Sequence, residues 1–146
     1  MKRMAYLLLL TAMMMFSQSV ETQASDYLGD FCFTTSSSQG ADTINLRVGI
    51  SSVGGGHYLL NGLAAKPAAL GSAVSGNLEI RSDGSIVASL NWAKKDDTSM
   101  ASRTMQLNIG TDGSADYHLI GLQKVFGQSG TTGYYDSGTL SLTPCQ

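Results

Sequence analysis

Only two cysteines occur in this chain, Cys32 and Cys145, 113 positions apart, and each lies in or beside a short run of alternating apolar and polar residues. The first run is Gly29-Asp30-Phe31-Cys32-Phe33-Thr34, and the second is Gly138-Thr139-Leu140-Ser141-Leu142-Thr143, followed by Pro144 and Cys145. Alternation with a period of two marks a strand with one buried face. If Phe31 and Phe33 face inward, Cys32 faces outward, and if Leu140 and Leu142 face inward, Cys145 likewise faces outward. A cysteine pair in an exported chain implies a disulfide rather than a metal or redox centre. The head and tail strands then lie side by side, the sheet closes on itself, and the sulfurs meet on its outer wall. In the chain-entropy view, closing so long a loop restricts the unfolded state by about 4–5 kcal/mol.

Export is read from the first residues. Lys2 and Arg3 precede an apolar run from Ala5 to Phe16, and Thr22-Gln23-Ala24 offers a small-x-small cleavage pattern before Ser25. The apolar run is shorter than the roughly 20 residues that span a bilayer, so residues 1–24 are expected to be a signal peptide. The mature chain, 25–146, is one domain's worth of sequence with no transmembrane segment of its own, destined for the periplasm or the extracellular space. Without Lys2, Arg3 and Glu21 its net charge is −3. No cluster of Lys and Arg marks a nucleic-acid partner.

Eight alternating runs divide the mature chain, at about 29–36, 43–51, 57–63, 73–81, 85–93, 100–109, 115–124 and 136–143, separated by Gly, Ser, Asn and Asp. No stretch keeps a helical period. The third run is ambiguous, since Tyr58 and Leu60 point one way and Leu59 and Leu63 the other. Turn chemistry sets the register elsewhere. A two-residue Asp83-Gly84 loop would throw the apolar faces of runs four and five to opposite sides. A three-residue loop ending in a left-handed Gly84 pairs Ile80 with Ile86, Leu78 with Ala88 and Val74 with Trp92. The same logic at Thr111-Asp112-Gly113 sets Ile109 opposite Ala115 and Leu107 opposite Tyr117. The two longer connections are expected at 64–72, around Lys66-Pro67, and at 125–133. The fold expected is therefore all-β: an eight-stranded, up-and-down antiparallel barrel with no exposed edge.

Motifs of catalysis and metal binding are sparse. Gly54-Gly55-Gly56 is followed by His57-Tyr58 rather than by the Lys-Ser/Thr of a phosphate loop, and reads as a hairpin turn. His57 and His118 fit no metal-ligand spacing, and Asp96-Asp97-Thr98 and Asp112-Gly113 lack the spaced oxygens of a calcium loop. Asp116 and His118 share a strand face, but no nucleophile elbow accompanies them. No catalytic residue, metal or cofactor is assigned. Arg103 is the informative residue, because it shares the inward phase of Met105, Leu107 and Ile109, with Trp92 or Leu90 beside it and Gly121 opposite. It is read either as a plug for the barrel end or as an anchor for the acidic head of a ligand, its guanidinium lying across Trp92. Gly76, Ala88 and Gly121 on the inward face are expected to leave room for a cavity. Of the adjacent Tyr134 and Tyr135, one is expected to pack and the other to stand at the rim.

With eight meandering strands, this size and an opening Gly29-Asp30-Phe31, the mature chain resembles the calycin-type barrels: lipocalins, fatty-acid-binding proteins and avidins. Phe31 stands where lipocalins and avidins typically carry tryptophan. The resemblance is one of architecture: it implies a barrel, and it carries over no ligand and no site residue. The expected function is that of an exported, non-enzymatic binding protein holding a small, largely apolar ligand, with Trp92, Arg103, Tyr117 and Tyr58 as candidate contacts. The alternatives are a protein-interaction module resembling a protease inhibitor, acting through Ser25 to Leu28 and the loops 64–72 and 125–133, and a structural protein of the cell envelope.

Overall fold

In a computed structural model of the chain, residues 26–67 and 71–145 are described; the expected signal peptide at 1–24, Ser25, residues 68–70 of the long connection and residue 146 lie outside the described residues. Eight strands follow one another: β1 (Asp26–Ser37), β2 (Asn45–Gly54), β3 (His57–Ala65), β4 (Ser72–Ile80), β5 (Ile86–Lys95), β6 (Ser99–Ile109), β7 (Ala115–Val125) and β8 (Thr132–Thr143). Each pairs antiparallel with the next, and β8 returns to β1, so the sheet is a closed barrel in up-and-down order. The disulfide Cys32–Cys145 joins its first and last strands.

Both hairpin registers follow from their turns. Ile80 faces Ile86 and Val74 faces Trp92, while Ile109 faces Ala115 and Leu107 faces Tyr117. In the first turn Gly84 has φ 84° and donates to the Arg81 carbonyl; in the second Gly113 has φ 81° and donates to the Gly110 carbonyl. Asp83 and Asp112 stiffen these turns by accepting the amides of Ser85 and Ser114. An Asx turn of this kind leaves glycine to supply the left-handed residue.

The ambiguous third strand turns Leu60 and Ala64 inward and leaves Leu59 and Leu63 on the outside. A continuous cluster that includes Leu46, Val48, Leu60, Leu90, Met105, Tyr117 and Leu119 fills the middle of the barrel. The outward positions read Ser75, Asn77, Glu79 on β4 and Ser102, Thr104, Gln106, Asn108 on β6. Among the described residues no helix is long and apolar enough to cross a membrane.

Following partners once around the wall, Asp26, Ser52, Tyr58, Leu78, Ala88, Leu107, Tyr117, Gly138, Ser37, returns to β1 eleven residues along, one of them the bulge between Tyr27 and Gly29. Because of this stagger, β8 covers only Cys32–Ser37 of β1. Pro144, lacking an amide hydrogen, cannot extend the ladder. Three residues expected in the core therefore lie at an uncovered rim. Phe31, Ile80 and Leu142 keep the inward phase, yet Leu142 is 68% exposed. Cys32 has the outward phase of its partners Arg47 and Thr143, as expected, but it is covered to 9% exposure while Cys145 stays exposed.

The inward glycines do not hollow out the interior. A Cβ at Gly76 would lie 1.9 Å from the Ser89 carbonyl oxygen of β5, and one at Gly62 would lie 1.9 Å from that of Arg47 on β2. At both positions the neighbouring backbone occupies the side-chain space, which lets the sheet coil tightly. Gly76→Ala should therefore lower the unfolding free energy by about 2 kcal/mol or more. Gly133→Ala on β8, where an added Cβ meets nothing within 4 Å, should change it by less than about 0.5 kcal/mol. Urea titration of the two variants checks this, and equal losses would contradict it.

Candidate functional site

The barrel's two ends differ. One, here the lower, carries the tight turns at 54–56, 82–84 and 111–113 and the end of β8; the upper carries the connections 38–44, 66–71, 96–98 and 126–131. One row of paired inward positions passes just below the upper end: Gly62, Val74, Trp92, Arg103, Gly121 and Tyr134. Trp92 is buried in this row. Arg103, next to it, is half-buried. Gly121 offers no side chain, and the Arg103 Cγ lies 3.0 Å from where its Cβ would be. Released on that side, the guanidinium carbon comes 5.3 Å from the centroid of the Tyr134 ring. The partner expected for that cation was Trp92; the structure gives it Tyr134, because β8 starts at Thr132 and turns Tyr134 inward. Such a contact contributes about 0.5–2 kcal/mol.

Above this row two adjoining hollows open, of about 150 and 200 Å³, and both are lined by Ser72, Trp92, Lys94 and Arg103. Asp96 and Gln123 complete one, and Ile44 and Lys66 complete the other. The carboxylates here are already engaged. Lys66 donates to Asp42 at 2.5 Å, a bond that holds the Asp42 pKa below its usual value. Asp96 is lowered to about 2, first by the Thr98 hydroxyl, then by the backbone amides of Thr98 and Ser99. Lys94 reaches Asp96 only at 3.8 Å. The Tyr134 phenol is raised, first by partial burial and then by the charge of Asp136, while Arg103 and Lys66 pull it down.

Asp136 is an inward acid that the strand boundary at 136 concealed. It shares the phase of Leu140 and is 1% exposed. Besides Arg103, Asp136 keeps the inward phase, and Lys94 follows at the rim. The Tyr117 hydroxyl donates to Asp136 Oδ2 at 2.7 Å, and the Ser37 hydroxyl donates to Oδ1 at 2.5 Å. Ser37 Oγ in turn accepts the amides of Gln39 and Ala41, which fixes the start of the 38–44 connection.

The four candidate contacts therefore separate. Trp92 and Arg103 share the upper mouth. Tyr117 lies wholly buried beneath it with its hydroxyl committed to Asp136. Tyr58 pairs with Leu78 and Ser52 near the lower end. The segment Asp26–Leu28 is part of β1 rather than a free tail, and the second long connection spans 126–131. Asp116 accepts from Asn108, and His118 Nδ1 lies 3.3 Å from the Tyr135 hydroxyl. Among the described residues no three His, Cys, Asp or Glu side chains gather as metal ligands. A larger hollow, about 450 Å³, lies on the outer wall beside the disulfide. Its charged residue, Arg47, is already held by Asp30 at 2.6 Å, so the upper mouth is the better-equipped site.

A scan against protein-family profiles, a search of curated proteins and a search of solved structures each returned no match.

Burial, and next the hydrogen bond to Asp136, pushes the Tyr117 pKa up to about 12 from a usual value of 10.0. A neutral phenol held protonated in the fold contributes its full stability below pH 10 and loses it as pH rises from about 10 to about 12. The loss expected over that window is on the order of 2–3 kcal/mol. Tyr117→Phe should show a flatter decline of urea midpoint over the same range. Parallel declines in the two proteins would contradict the assignment.

Proposed function

We propose that this is an exported, non-enzymatic binding barrel that holds a small, largely apolar ligand in its upper mouth, against Trp92 and Arg103. The observation that carries this reading is the concave site shared by those two side chains, with the middle of the barrel packed beneath it. A filled core means that the ligand sits on the mouth rather than deep inside the barrel. Trp92, with Ile44 and Ala64, supplies the apolar contact, and polar side chains make up most of the remaining lining. The cysteine bridge fits an oxidising compartment and hence export.

A second reading, a protein-interaction module, draws on the outer wall. Met100, Ile120, Leu122 and Tyr135 are all about half exposed there, on the neighbouring strands β6, β7 and β8. Patches of this type mark contact surfaces when they are contiguous. The two readings part in one experiment. Trp92 is the only tryptophan, so its emission reports on the mouth and not on the outer wall. Titration with a panel of small acids, sterols and sugars should give saturable quenching by at least one class. A flat response across the panel would remove the mouth as the site and leave the outer wall.

A further inference from the structure

We infer that the upper mouth selects a monocarboxylate with a flat apolar body, an inference that rests on the mouth being the binding site. Three cations surround the hollows, Lys66, Lys94 and Arg103, and two carboxylates, Asp42 and Asp96, stand among them. Lys66 is closed against Asp42, and Lys94 stands nearest Asp96. Of these three cations only Arg103 has no carboxylate within ion-pair distance among the described residues. No buried side-chain nitrogen there lacks a partner, so the N–H groups of Arg103 that find no protein acceptor reach the open hollow. Of the charged groups that line the hollows, Arg103 is therefore the cation left for an anionic ligand, on a protein whose mature chain is acidic overall.

The chemistry of that charge narrows the ligand. A guanidinium offers a planar fork of N–H donors that matches a carboxylate two bonds at a time. Beside it stand the Trp92 indole and the Tyr134 ring, two flat apolar surfaces that suit an aryl or short unsaturated body. The hollows, about 150 and 200 Å³, admit a body the size of one ring. A second negative charge on the ligand would have to draw Lys94 from Asp96, or face the Asp96 and Asp42 carboxylates without compensation. A dianion such as a phosphate monoester is accordingly disfavoured. Tyr134, over whose ring the cation rests, positions the guanidinium for the carboxylate.

Three probes of similar shape test this on the oxidised mature chain: phenylacetate, phenylacetamide and phenyl phosphate, titrated calorimetrically at slightly alkaline pH with Trp92 emission followed in parallel. Phenylacetate should bind roughly tenfold or more tighter than phenylacetamide, as loss of a charge-assisted hydrogen bond requires, and no more weakly than phenyl phosphate. Arg103→Gln should bring the acid down to the level of the amide, and Arg103→Lys should restore part of the difference, with melting curves confirming that both variants fold. Equal affinities for acid and amide in the unaltered chain would overturn the carboxylate inference while leaving the mouth as a binding site. Phenyl phosphate binding tenfold more tightly than phenylacetate would overturn the single-charge argument in the same way. If none of the three binds or changes the emission of Trp92, the binding site at the mouth falls with it.

Discussion

A sheet rolled into a barrel is held shut wherever its first and last strands meet, and here that meeting is brief. β1 and β8 share six residue pairs, Cys32 with Thr143 through Ser37 with Gly138, whereas β6 and β7 share eleven. The stagger of the strands allows no more, and Pro144 stops the ladder at the lower side. Each end of this short seam is secured by a different interaction. Cys32–Cys145 ties the lower end covalently on the outer wall. At the upper end the Ser37 hydroxyl crosses from β1 to Asp136 on β8, which also takes the Tyr117 hydroxyl from β7. Burying a carboxyl group is costly unless donors satisfy it, so this cluster holds three strands together only while all its members are in place.

The seam shapes what lies around it. Ser37 is the last β1 residue to pair with β8, and the chain then turns into the 38–44 connection, whose Asp42 holds Lys66 across the mouth. Above the paired segment β8 continues upward against β7 alone, which brings Tyr134 into the row that contains Arg103. Gly121 between them leaves the guanidinium free to reach the ring. The cationic mouth is thus a product of the way the barrel closes, together with one glycine. The free lower edge of β1 is blunted by a bulge, by Asp26 and by Asp30, whose carboxylate takes both the Tyr27 hydroxyl and Arg47. Bulges and charges of this kind keep an exposed edge from pairing with other chains.

Much of this architecture was legible in the residues. Period-two alternation sets the facing of six strands, and the Asp-Gly turns set the register of two hairpins, because a slip by one residue would expose a whole apolar face. The paired cysteines gave the closure. Less legible was whatever depended on strand ends. Leu59, Leu60 and Leu63 have no polar alternation to separate inside from outside, and only the pairing of Gly62 with Val48 and Val74 and of Leu60 with Ile50 decides it. Asp136 has the phase of Leu140, but at the start of a strand an acid reads as a solvated end. Moving that start to Thr132 makes Asp136 an interior residue and turns Tyr134 inward at the mouth, and with them it changes the neighbours of Arg103. The inward glycines misled for another reason. A missing side chain signals space, and composition does not tell whether a ligand or the next strand's backbone takes it.

Amide hydrogen exchange on the oxidised mature chain tests the closure most directly. Because Ser38 donates to the Ser137 carbonyl, the alternation of an antiparallel ladder points the amides of Thr34 and Ser36 toward β8. These two amides should be protected to about the same degree as those at the centre of β6, while the amide of Asp30, below the end of the ladder, exchanges rapidly. Exchange of Thr34 and Ser36 at the rate of the 126–131 connection, with β2 to β7 still protected, would mean that the sheet is open and that the mouth has no closed wall on which to stand.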